Sequence, residues 1–204
     1  EALSERLRVV NHPYLSRLLT NRAFLPVIFK DAMPEAILRE PHEIIRNPKR
    51  AHIVLKKLYG SQESAVQFTT RARVKVSDYT LEQYFVESLS KGRRQDTCIV
   101  FINDTPQYAY HRIARSGSYS SSLTAGARVE FTSLRSVERL VEYAKVIARP
   151  LAVFPRRVFS LDFFTHSRTG KYYLIEANAM PSLGLLDIKR KESFVRNLSR
   201  MLLS

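Results

Sequence analysis

The spacing of apolar residues changes period several times along the chain, and each change predicts an element. From Glu1 to Leu19 the pattern is amphipathic but broken at Pro13, which predicts a strand or short helix, a turn and then a helix. Residues 51–68 read as strand, turn, strand: Ile53, Val54 and Leu55, a polar stretch around Gly60, then Ala65, Val66 and Phe68. Residues 79–103 place a basic loop between two strands. Residues 107–131 continue with a strand ending near Ala114, a Gly-Ser turn and a Ser-rich loop, a composition that a flexible polar linker would also explain. Between Ser133 and Arg149 the period becomes helical, because Leu134, Val137, Leu140, Val141, Ala144 and Ile147 follow the i, i+3, i+4, i+7 series. Ser133 or Ser136 can cap this helix, and Pro150 ends it. A second helical stripe, Phe194, Val195, Leu198, Met201 and Leu202, predicts a C-terminal amphipathic helix with those residues buried.

The stretch from Val158 to Asp187 reads as a hairpin followed by a Pro-Gly loop, with Thr169-Gly170 as the turn signal between two aromatic-rich runs. Strict alternation puts Tyr172, Leu174, Glu176 and Asn178 on one face of the second strand and Tyr173, Ile175 and Ala177 on the other. An odd-numbered loop centred on Thr169 would set Asp162 opposite Glu176, whereas a slip of one residue would turn Asp162 to the wrong face. Two carboxylates that close repel each other unless a cation lies between them. A neighbouring carboxamide completes a hard-oxygen site suited to Mg²⁺, which binds through one or two carboxylates plus substrate phosphates. The alternative is an ordinary solvated hairpin face, although the neighbours of Glu176 in YYLIEANAM are apolar.

A length of 204 residues with 45% apolar content allows one domain, or a tight pair of subdomains, around a real core. The apolar runs are short and interrupted by charge, so no membrane span is expected, and Glu1 without an apolar stretch argues against an intact secretory signal. Cys98 is the sole cysteine, which excludes a disulfide framework or a cysteine-based zinc site and suits a reducing compartment, the cytoplasm or a mitochondrial matrix. The five histidines show no ligand spacing. Charge is the unusual quantity: 33 Lys and Arg against 19 Asp and Glu give +14. That excess favours polyanionic partners, namely nucleotide phosphates, RNA or a ribonucleoprotein surface, while dispersed basic residues also serve solubility alone.

Asp162 in one strand, Glu176 and Asn178 in the next, then Pro181 and Gly184, together resemble the metal-binding end of the ATP-grasp fold. The likeness is to the branch containing glutathione synthetase and the ribosomal-protein glutamate ligases. The resemblance implies an α+β fold in which two small antiparallel-rich sheets with helices clamp a nucleotide. It divides the chain into a leading helical segment, 1–45, a lid subdomain with phosphate loop and adenine hinge, 46–88, and a C-terminal subdomain with the metal site, 89–204. The substrate domain that precedes these parts in the family would be missing, and the chain would be a fragment. The implied metal ligands are Asp162, Glu176 and Asn178. Asn11-His12-Pro13 and Asn21-Arg22 occupy the places of Asn-Pro-Pro and Asp-Lys, so Arg22 takes the role of a phosphate-binding lysine. Lys56 stands for the lysine on the α-phosphate and adenine edge, and Gly60 with Ser61 for the phosphate loop. Gln83, Tyr84, Phe85, Val86 and Glu87 resemble the adenine hinge: backbone of Tyr84 and Val86 on the purine edge, Phe85 on its face, Glu87 on the ribose hydroxyls. Arg112 lands on an arginine that stabilises the transferred phosphoryl or acyl phosphate, and Arg115 lies one alternation away.

The sequence also departs from that pattern. Arginine replaces lysine at Arg22, a change that alters hydrogen-bond geometry as well as size. Cys98 stands where the strand Asp96 to Val100 would carry an arginine; the phosphate loop keeps only Gly60 and adds Glu63; Ser120 and Ser122 replace an arginine and an asparagine. The resemblance implies an ATP- and Mg²⁺-dependent carboxylate–amine ligase that works through an acyl phosphate, joining a carboxylate and an amine substrate, peptide or protein included. The alternatives are a degenerate ATP-grasp domain kept for binding RNA or a ribonucleoprotein, and phosphorylation of a hydroxyl at the same site.

Overall fold

A computed structural model describes residues 9–46, 52–58, 66–69, 73–85, 95–116, 121, 123, 126–166 and 169–203. In chain order the elements are α1 (Pro13–Thr20), α2 (Leu25–Ile28), β1 (Ala36–Arg39), β2 (Ile44–Arg46), β3 (His52–Lys57), β4 (Val66–Thr69), β5 (Arg73–Lys75) and β6 (Thr80–Phe85). They continue with β7 (Gln95–Ile102), β8 (Thr105–Ile113), β9 (Arg128–Thr132), α3 (Glu138–Ala148), β10 (Val158–Thr165), β11 (Tyr172–Asn178) and α4 (Ile188–Leu203). The strands form a four-stranded sheet ordered β1-β6-β3-β4, a five-stranded sheet ordered β11-β10-β7-β8-β9, and the small pair β2-β5. Every described pairing is antiparallel. This α+β arrangement matches the expectation, and its four-stranded sheet draws β1 from residues ahead of position 46. Among the described residues no helix is long and apolar enough to cross a membrane.

One face of the five-stranded sheet is sealed by helices. Phe101, Phe159, Leu161 and Phe163 pack there against Leu15, Leu19 and Leu25 from the leading helices and against Leu140, Val141 and Ala144 from α3. The rings of Phe101 and Phe159 stack at 5.0 Å. Fully burying a side chain of this size stabilises the fold by about 1.5–3 kcal/mol, so this layer holds the sheet rigid under whatever lies on its other face. Among the described residues, the apolar cover of that other face lies at one end, where Phe194 and Met201 of α4 meet Val100, Ile102, Tyr108 and Val158. The remaining end carries Asp96, Asp162, Glu176 and Asn178 and turns toward the four-stranded sheet through Lys56.

The helices expected after Pro13, after Ser133 and at the C-terminus are present, although the first starts at Pro13 itself and the last at Ile188, three residues ahead of the expected Lys191. Pro13 opens α1, where a missing N–H costs nothing, and His12 Nδ1 accepts from the Tyr14 N–H at 3.2 Å. Ser133 Oγ accepts from the Ser136 N–H at 3.0 Å ahead of α3, and the helix gives way to a 3₁₀ turn at Arg149–Val153 containing Pro150. One helical expectation fails: Val195 is 55% exposed, while Phe194 and Met201 are buried and Leu198 and Leu202 pack beside them. The buried stripe follows 194, 198, 201, 202, and residue 195 lies about 100° further round than 194, past its edge.

Alternation along β11 also fails, at one residue. A bulge falls between Asp162 and Phe163, whose partners are Glu176 and Leu174, so Ile175 is an extra residue. Leu174 and Ala177 consequently share the helix-sealed face, with Tyr172 packed against them, while Glu176 stands on the opposite face with Asp162. The hairpin end is even-numbered: Thr165 pairs with Tyr172, leaving residues 166–171 as the loop, with Gly170 at φ +68°. The expected facing of Asp162 and Glu176 is therefore present, but an even loop plus a bulge produces it rather than an odd loop centred on Thr169.

Candidate active site

Asp162 and Glu176 are cross-strand partners, and Asn178 lies opposite Ser160 on the same face. Asn178 Nδ2 is 3.5 Å from Asp162 Oδ2, so the three oxygen-bearing side chains form one patch. Asp162 is 1% exposed, and its Oδ1 is buried without a hydrogen-bond partner. A buried carboxylate oxygen with no donor is costly to retain. Burial pushes the Asp162 carboxyl up to about 6, against the opposing pull of Arg112.

Cations arrive from three directions. Arg112 on β8 lies opposite Asp96 on β7. Its Nε and Nη2 hold Asp96 in a two-bond fork at 2.8 and 2.9 Å, and Nη2 also donates to Asp162 Oδ2 at 2.7 Å. Arg22, 5% exposed, donates to Glu176 Oε1 at 3.0 Å and to the Lys57 carbonyl at 2.9 Å, while its own N–H donates to Leu58 O. It therefore ties β3 of the four-stranded sheet to β11 of the five-stranded one. Lys56 on β3 donates from Nζ to the Ile175 carbonyl at 2.7 Å, so the bulge residue supplies an anchor for a lysine of the facing sheet. Burial pushes Lys56 down to about 8, with Glu176 acting against it. Burial also raises Glu176, but Lys56 and Arg22 outweigh it and hold that carboxyl below its ordinary range.

Among the described residues of this patch, the acids Asp96, Asp162 and Glu176 are matched by the bases Arg22, Lys56 and Arg112. A group of three His, Cys, Asp or Glu side chains placed to hold a metal is absent among the described residues; with Asp96 held in the fork of Arg112, the patch offers the carboxylates of Asp162 and Glu176 and the amide of Asn178. Hard oxygen donors of this kind, one of them without a partner, fit Mg²⁺ with remaining positions left to water and phosphate.

Of the residues singled out in the sequence, the fold brings Arg22, Lys56, Arg112, Asp162, Glu176 and Asn178 together. Arg115 is exposed beyond the end of β8 and shares no hydrogen bond or ion pair with them. Gln83 is fully buried on β6, opposite Val54 and hence on the Lys56 face of its sheet, and both its amide atoms lack partners. Tyr84 and Phe85 lie in β6, but their side chains, together with Gly60, Ser61, Val86 and Glu87, fall outside the described residues, as do Glu63, Ser120 and Ser122. Sequence reasoning assigned no role to Asp96 or to Ser121, whose Oγ donates to Asp96 Oδ2 at 2.5 Å. The signal for Asp96 was an acid opening an otherwise apolar strand, QDTCIVFI. Cys98, standing opposite Asp162, is buried, and burial raises its thiol well above the ordinary range, so it adds no charge here.

Two antiparallel sheets thus meet across a patch of acids, an amide and converging cations. The profile of the RimK-like ATP-grasp domain matches residues 36–198, and the chain belongs to that family. Solved structures agree on the fold. The ATP-grasp ligase PsnB, complexed with precursor peptide PsnA2 and AMPPNP, aligns with a TM-score of 0.60 and 15% identity over 96% of this chain and 63% of its own. D-alanine–D-alanine ligase from Bacillus anthracis complexed with ATP gives 0.59 and 10% identity over 91% and 65%. D-cycloserine synthetase DcsG gives 0.58 and 14% over 92% and 72%. The chain thus spans less than two thirds of the length of PsnB and of the D-alanine ligase. A search of curated proteins by sequence gives no match.

Proposed function

We propose that this chain is the nucleotide-binding and ligating portion of an ATP- and Mg²⁺-dependent carboxylate–amine ligase. The observation that carries this reading is the facing of Asp162 and Glu176 beside Asn178, with Asp162 Oδ1 left unpartnered, Lys56 of the opposite sheet bonded to β11 and Arg22 of the leading segment paired with Glu176. ATP would lie between the sheets, its base toward the β6 end and its phosphates toward Lys56 and Arg22. The orphaned amide of Gln83 supports a polar ligand there, because a buried carboxamide without partners is costly. Asp162, Glu176 and Asn178 would hold Mg²⁺, which when bound neutralises charge on the phosphates.

In the reaction, a substrate carboxylate oxygen attacks the γ-phosphorus, the bond to the β-phosphate oxygen breaks and ADP leaves, giving an acyl phosphate. The nitrogen of an amine then attacks the acyl carbon, and phosphate and a proton depart as the amide forms. Arg112 sits beside Asp162 to stabilise charge on the transferred group, so the chain contributes positioning and electrostatics and no nucleophile of its own. The names of the neighbours, peptide and amino-acid ligases, support an acceptor of that class. The test is product release: ADP and phosphate should accumulate only when acid and amine are both supplied. ADP released without free phosphate when a hydroxyl compound alone is supplied, the phosphoryl group having passed to that hydroxyl, would instead indicate a kinase.

The excess of 14 positive charges and the exposed Lys189, Arg196 and Arg200 of α4 favour a second reading, a basic domain that also docks on RNA or a ribonucleoprotein. RNA affinity falling steeply with salt would support it, and a flat salt response would remove it.

A further inference from the structure

Arg112 has two carboxylates within reach and divides itself unequally between them. Its Nε–Nη2 edge grips both oxygens of Asp96, and Asp162 receives a single bond through Oδ2. Guanidinium and carboxylate are geometrically matched for the two-bond fork, which is the stronger arrangement. Asp162 is an equally suitable fork acceptor, is almost fully buried, and lies diagonally across β7 and β10 from Asp96, since Cys98 pairs with Asp162 and Asp96 with Phe164. If Arg112 turned its fork onto Asp162, both oxygens would be consumed. The observed arrangement leaves Oδ1 without a partner, and this is the oxygen a divalent cation needs. Asp96 is itself held: it is 4% exposed and takes a further bond from Ser121 Oγ, in the connection between β8 and β9.

We propose that Asp96 is a positioning residue that occupies the fork of Arg112 and so keeps Asp162 open for the divalent cation, with Ser121 fixing Asp96 in place. This rests on the metal-site reading above and adds a specific role for an acid that is not itself a ligand. Removing the Asp96 charge should let Arg112 close on Asp162. A lysine at 112 cannot form the fork, because its ammonium is a point charge, so it should leave Asp162 accessible even without Asp96.

The experiment measures ADP affinity by calorimetry in Mn²⁺ and in EDTA, the ratio being the metal-dependent gain. Asp96→Asn should cut that gain about tenfold while ADP affinity in EDTA stays the same, and the double variant Asp96→Asn with Arg112→Lys should recover most of it. Ser121→Ala, which leaves every charge in place and stays clear of the strands, should cut the gain a few-fold and serves if Asp96→Asn does not fold. An unchanged gain in Asp96→Asn, or in Ser121→Ala when that is the variant that folds, overturns the proposal. A double variant as weak as Asp96→Asn also overturns it, since Asp96 would then act only through its charge. A wild-type chain that binds ADP equally in Mn²⁺ and EDTA would instead overturn the metal-site reading beneath it.

Discussion

Asp162 and Glu176 face each other because Ile175 is one residue too many in β11. Without that bulge the even-numbered hairpin would keep Leu174 opposite Phe163 and send Glu176 to the same helix-sealed face, opposite Leu161. The same extra residue presents the carbonyl that holds Lys56. One irregularity thus places the two carboxylates proposed as metal ligands on one face and anchors the facing sheet.

Deleting Ile175 should therefore heal the strand without undoing the acid pair, because Leu174 and Glu176 would become neighbours pointing to opposite faces. Cooperative unfolding should persist, but Lys56 loses its carbonyl. Nucleotide affinity should fall about tenfold or more, given that hydrogen bonds to charged groups contribute about 1.5–3 kcal/mol. Calorimetric titration with ADP measures it.

The pH response follows from the two shifted groups. Lys56 is moved from 10.5 to about 8, so the ligand-free fold disfavours its charged form and gains stability as pH rises from 8 to 10.5. Asp162 is moved from 3.8 to about 6, so the ligand-free fold gains stability from it as pH falls through that window. Under the proposed function binding runs the other way, since phosphate would need a charged Lys56 and the cation an ionised Asp162. ADP affinity in Mg²⁺ should be bell-shaped, weakening below about 6 and above about 8. Lys56→Met should flatten the alkaline limb alone.

Asn11 locks the leading segment to the base of the hairpin. Its Nδ2 donates to Val158 O at 2.8 Å and Ala179 O at 2.5 Å, its Oδ1 accepts from the Val158 N–H at 2.7 Å, and its φ is 61°. Asn11→Ala should cost about 3 kcal/mol in urea unfolding, from lost buried hydrogen bonds and a left-handed backbone that alanine tolerates poorly. Asn11→Gly should recover the backbone part only.

Much of this site is legible in the chain because the hairpin alone brings Asp162, Glu176 and Asn178 close together in sequence as well as in space. The bulge is not legible from alternation. Its one trace is a conflict, with Leu174 and Tyr172 given the same face as Glu176. Asp96 and Arg112 escape notice as a pair because only the β7–β8 register, set by the two-residue turn Asn103-Asp104 and a second bulge between Val100 and Phe101, brings them opposite each other. Strands β1, β2, β5 and β9 are too short, at three to five residues, for a period of two to declare itself. Arg22 could be named from its position, but its bridge to Glu176 depends on how the sheets meet.

The stripe on α4 gives a stability contrast. Phe194→Ala should cost about 3–5 kcal/mol because it empties a buried ring site. Val195→Lys, on the exposed side, should change stability by no more than about 0.5 kcal/mol. Thermal melts of both variants distinguish the observed stripe from the expected one.

The most direct measurement is calorimetric titration of ATP, with Mg²⁺ and with EDTA, into the wild-type chain and into Glu176→Ala. Wild type should bind ATP far more tightly with Mg²⁺, and Glu176→Ala should lose that gain while still melting cooperatively. Equal ATP affinity in the two proteins with Mg²⁺ present would contradict a metal site at Asp162, Glu176 and Asn178.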